Sequence, residues 1–71
     1  MKSPRDLSGD DVVRALRRLG TGLVRQVGAH ARLVRGPARV PVPMHGAIVP
    51  GTLKSILRQA GLTTDELRAA L

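Results

Sequence analysis

LVRQVGAHARLVRGPARVPVPM, residues 23–44, decides the fold. Three short runs, Leu23 to Val27, about His30 to Arg35 and about Arg39 to Met44, are separated by Gly28-Ala29 and Gly36-Pro37. Runs of this length rich in branched residues read as strands, and two-residue breaks containing glycine read as hairpin turns. In the last run Val40, Val42 and Met44 alternate with Pro41 and Pro43, so the three apolar side chains share the core face. Backbone nitrogens two residues apart point to the same edge of a strand. Pro41 and Pro43 therefore strip the donors from one edge, which makes this an edge strand with its bare side outward. A three-stranded meander follows.

Helices flank it on both sides. Upstream, Val12, Val13, Leu16 and Leu19 form one stripe at helical spacing, from about Gly9 to Leu19. Ser8 is placed to cap this helix, Asp10 and Asp11 lie in its positive first turn, and Gly20 and Gly22 close it. Arg14, Arg17 and Arg18 take the opposite, solvated side. Downstream, His45 to Val49 reads as a loop and Pro50 suits a first helical position. Leu53, Ile56, Leu57 and Ala60 make the next stripe, and Gly61 ends it. Thr63 and Glu66 fit a capping box for a short last helix carrying Leu67, Ala70 and Leu71. The expectation is one α+β domain over 8–71, ordered α-β-β-β-α with a short C-terminal helix, after a flexible arm at 1–7. The apolar stripes require the helices to cover one sheet face. The other face stays open and basic.

Net charge is +7, and Asp11 and Asp65 bracket a stretch with no acidic residue at all. Arg14, Arg17, Arg18, Arg25, Arg32, Arg35, Arg39, Lys54 and Arg58 lie within it. Such a field attracts a polyanion, nucleic acid or an acidic protein. With no aromatic residue, stacking of unpaired bases falls to arginine planes. With no cysteine, disulfides and thiolate metal sites are excluded. The missing carboxylates count against a two-metal nuclease site, and His30 and His45 alone make no zinc site. No cofactor motif is present. No signal peptide precedes the domain and no stretch approaches the ~20 apolar residues of a membrane span, so a cytoplasmic protein without membrane contact is expected.

The strings SGDDVVRALRRLG, LVRQVGAH, RVPVPMHG and PGTLKSILRQAGLTTDEL cover Ser8 to Leu67, and together they resemble the HicA family. That resemblance implies a fold similar to a double-stranded-RNA-binding domain. It implies the toxin of a type II toxin–antitoxin pair, a ribosome-independent endoribonuclease (mRNA interferase) acting on mRNA. It also implies a HicB-type antitoxin that covers the active site. The family's catalytic histidine lies in a Gly-Ser-His string between the first two strands, which here reads Gly28-Ala29-His30. Ala29 replaces the serine, and reduced activity follows if that hydroxyl orients the imidazole or touches RNA. The RGPARV hairpin is short for the family, and Thr21 stands where an aromatic is often found.

RNA carries its own nucleophile, the 2′-hydroxyl. A histidine exchanges protons near neutral pH, and cationic side chains stabilise the phosphate oxygens. His30 is thus expected as the general base or acid of a metal-independent reaction, in an active-site turn with Gly28 and Ala29. Arg25, Arg32, Lys54 and Arg58 are expected as phosphate contacts, with His45 a loop residue near RNA rather than a second catalyst. Gly28 serves the turn's backbone. Two other classes of reading stand beside this one: a non-catalytic RNA-binding module of the same fold, and an interaction protein whose basic surface serves an acidic partner.

Overall fold

The computed structural model describes residues 7–44 and 46–71. Along the chain run α1 (Gly9–Arg18), β1 (Gly22–Val27), β2 (His30–Arg35), β3 (Ala38–Pro43), α2 (Pro50–Ala60) and α3 (Thr64–Ala70). This is the expected α-β-β-β-α order with a short closing helix, an α+β fold around one antiparallel sheet of order β1-β2-β3.

Both hairpins close in two residues. Val27 pairs with His30 across Gly28-Ala29, and Arg35 pairs with Ala38 across Gly36-Pro37. Each turn begins on a glycine with positive φ, 59° at Gly28 and 58° at Gly36, and no other residue type takes positive φ among the described residues. A positive φ at the first central position alone is the pattern of a type II′ connection, whose twist matches that of the strands. β3 is an edge strand, as its prolines require. The Met44 amide donates to the Ala29 carbonyl. By the two-residue parity of a strand, the Val40 and Val42 amides then face β2, and the nitrogens of Pro41 and Pro43 face outward.

Ala31, Leu33, Val40 and Val42 are buried against the helices, with Val12, Leu16, Ile56 and Leu67 among their companions in one core. Each helix owes its ends to local chemistry. The Ser8 hydroxyl accepts from the Asp11 amide at 3.2 Å while the Asp11 carboxylate accepts from the Ser8 amide at 3.0 Å, a full capping box. Thr63 and Glu66 repeat it on α3, at 3.1 and 3.0 Å. At the far end of α2, Leu62 donates to Leu57 O at 2.9 Å and Gly61 to Arg58 O at 3.2 Å. With Gly61 left-handed, that pair of bonds is a Schellman motif. α1 ends the same way through Gly20 and Thr21.

Leu7 corrects the expected arm. It is fully buried, and its carbonyl accepts from the Ile48 amide at 2.8 Å beside a Ser8–Ala47 bridge. The folded domain thus begins at least at Leu7; its apolar side chain precedes the cap and joins Val12 in the core, as a hydrophobic staple requires. Residues 1–6 of the proposed arm, and His45 within the expected loop, lie outside the described residues. At the other side of the sheet, β1 carries no buried residue. The helical layer covers β2 and β3 and leaves β1 exposed on both faces.

Candidate functional site

Direct cross-strand partners share a face, so the register fixes what the open face presents. Its rows are Val27–His30–Pro43, then Arg25–Arg32–Pro41, then Gly22–Val34–Arg39. His30 and Arg32 are two residues apart on β2, about 7 Å along the strand. Both are exposed. His30 is the first residue after the Gly28-Ala29 turn. That turn is tied at two carbonyls: Gln26 Nε2 donates to Gly28 O at 3.3 Å, and the Met44 amide donates to Ala29 O. The imidazole thus projects from a short, braced turn at one end of a basic face.

Between the second and third rows lies a shallow groove bordered by Val24, Arg25, Arg32, Val34, Arg39 and Pro41. A register shift between Leu23 and Arg25 lies on its β1 side. The extra residue of this bulge lets Val24 and Arg25, consecutive in sequence, both border the groove. Among the described residues no carboxylate pairs with Arg25, Arg32 or Arg39. Asp11 and Glu66 cap their helices, and Asp65 sits 3.7 Å from Arg68.

The structure brings together His30, Arg25 and Arg32 on one face, with Gly28 and Ala29 in the turn beside them. Lys54 and Arg58 are exposed on α2, in the helical layer, and form a separate basic flank. His45 lies outside the described residues. Arg39 joins His30, Arg25 and Arg32 on that face, and the sequence carries a signal for it. A two-residue turn at Gly36-Pro37 pairs 35 with 38 and therefore 34 with 39, which puts Arg39 on the face of Arg32. Two other arginines do structural work: Arg35 donates to Leu19 O at 2.6 Å, at the carbonyl end of α1, and Arg18 donates to Ala70 O at 2.7 Å, holding α3 to α1. Among the described residues no three His, Cys, Asp or Glu side chains cluster as a metal site would, and no helix is long and apolar enough to cross a membrane.

A family model described as the HicA toxin of bacterial toxin–antitoxin systems matches residues 9–62, from the start of α1 to the turn after α2. The class is therefore a toxin of a toxin–antitoxin system, a kind of protein that is paired with an antitoxin. The chain belongs to the HicA toxin family. No curated protein matches it.

Proposed function

We propose that this toxin is an endoribonuclease that cuts mRNA without the ribosome, using His30 and no metal ion, in the cytoplasm. The observation that carries the reading is the open sheet face, where His30 and a row of arginines stand together and every neighbouring strand residue is basic, apolar or neutral. In this reaction the 2′-oxygen bonds to phosphorus and the bond to the 5′-oxygen breaks. His30 takes the proton of the 2′-hydroxyl as general base or gives one to the departing 5′-oxygen as general acid. Arg25 and Arg32 neutralise the phosphate oxygens as charge gathers on them. Lys54 and Arg58 hold more distant phosphates. The partner is a HicB-type antitoxin, and Val24, Val27 and Val34, exposed among the arginines, offer it an apolar footing.

Cleavage of RNA by the purified chain and by its His30→Ala variant, with EDTA present, tests this. The variant should cut at least about a hundredfold more slowly and still bind. A variant that cuts like the parent removes His30 from the chemistry. Ala29 favours one second reading, a binding module of the same fold. Binding without cutting by the parent supports it, and Ala29→Ser then reports whether the missing hydroxyl is the cause.

A further inference from the structure

The groove on the open face, one to two rows from His30, has a composition that phosphate binding alone does not explain. Three arginines line it together with the apolar Val24, Val34 and Pro41. Arg25 and Arg32 are direct cross-strand partners, an arrangement of like charges that destabilises a sheet. An anion between them relieves that repulsion. The apolar walls are of no use to a bare phosphate and suit a nucleobase.

We infer that this groove is a nucleotide subsite for single-stranded RNA, holding an unpaired base between Val24, Val34 and Pro41 while Arg25, Arg32 and Arg39 each hold a phosphate of the strand on either side of it. The inference rests on the ribonuclease reading for the direction of the strand toward His30, and it deepens that reading by naming the form of the substrate. A duplex hides its base faces, so the apolar walls would meet nothing; an unpaired base can leave its stack and enter. The chain has no aromatic ring to stack on, and arginine planes over branched side chains take that place. The bulge at Val24 is the structural device, since it re-aims two consecutive β1 residues at the groove. Rows on β2 recur about every 7 Å, so the subsite lies one to two rows from His30. Arg39 is therefore a binding residue here, not a catalytic one.

The test uses the full chain and a non-cleavable 2′-O-methyl oligonucleotide of about eight nucleotides, single-stranded and as its duplex. The proteins are the parent, Arg39→Ala, Val34→Glu and, as a charge-matched control, Arg14→Ala, which changes an exposed residue of α1. Thermal melts establish that each is folded. The single strand should bind more tightly than the duplex, Arg39→Ala should weaken it about tenfold, Val34→Glu should weaken it at least as much, and Arg14→Ala should leave it near the parent. Equal losses for Arg39→Ala and Arg14→Ala, an equal or better affinity for the duplex, or no binding by the parent each overturn the subsite. A parent that binds the oligonucleotide as expected but does not cut its 2′-hydroxyl counterpart overturns the ribonuclease reading and leaves the subsite standing.

Discussion

Thr21 shows how much a single position owes to its neighbours. It follows Gly20 at the end of α1, and its amide donates to Leu16 O at 2.9 Å to complete a Schellman motif. The residue at this position normally makes an apolar contact with the helix it closes, and Thr21 is indeed buried, 3 % exposed. Its hydroxyl oxygen, however, has no hydrogen-bond partner among the described residues. An unsatisfied buried hydroxyl costs about 1–3 kcal/mol relative to an apolar group of the same shape. Thr21→Val keeps the branching and removes the oxygen. We expect it to raise stability by about 1 kcal/mol, seen as a melting temperature roughly 4–8 °C higher. A lower melting temperature would mean that the hydroxyl is satisfied in solution. Gly9 makes the opposite point. A Cβ there would lie 2.8 Å from Met44 Cα and closer still to the Pro43 carbonyl oxygen, so α1 can approach the end of β3 only through a glycine.

At the scale of elements, what the sequence made legible was what local chemistry determines. Turn glycines, proline at the start of α2, the Thr63–Glu66 box and the alternation of β3 each act within a few residues, and each reads correctly. The placement of His30, Arg25 and Arg32 on a common face is local too, since it follows from a two-residue turn. The burial of Leu7 has a local sign as well, the staple to Val12 across the Ser8 cap; the bulge at Val24 and the carbonyls reached by Arg18 and Arg35 depend on pairing and packing between elements, and no local pattern announces them. The prolines of β3 carry a consequence of their own. β1, at the opposite edge, contains no proline. A sheet with one competent edge pairs at most with its like, whereas two competent edges permit head-to-tail growth. Replacing Pro41 and Pro43 together by threonine restores donors to the bare edge. The double variant should self-associate with rising concentration in light scattering, and a strictly monomeric variant would show that β3 is protected by something other than its prolines.

For the whole molecule, the question is whether the positive charge acts as a diffuse field or as a defined path. The chain holds 12 Lys and Arg against 5 Asp and Glu, so its field draws any polyanion to some extent, whatever the site. Salt dependence separates the two cases, because each phosphate neutralised on a single strand contributes about −0.7 to the slope of log K against log salt. A short oligonucleotide confined to the open face should engage Arg25, Arg32 and Arg39 and give a slope near about −2. Since α2 packs over the covered side of the sheet beside β3, a longer strand that crosses the β3 edge can reach Lys54 and Arg58 as well. Its slope should steepen to about −3.5. The Lys54→Ala, Arg58→Ala double variant should return that slope to the short-strand value while leaving the short strand itself unaffected. Equal slopes for the two lengths, or an equal effect of the double variant on both, would mean that RNA feels the charge of the molecule as a whole and that the α2 flank forms no part of its path.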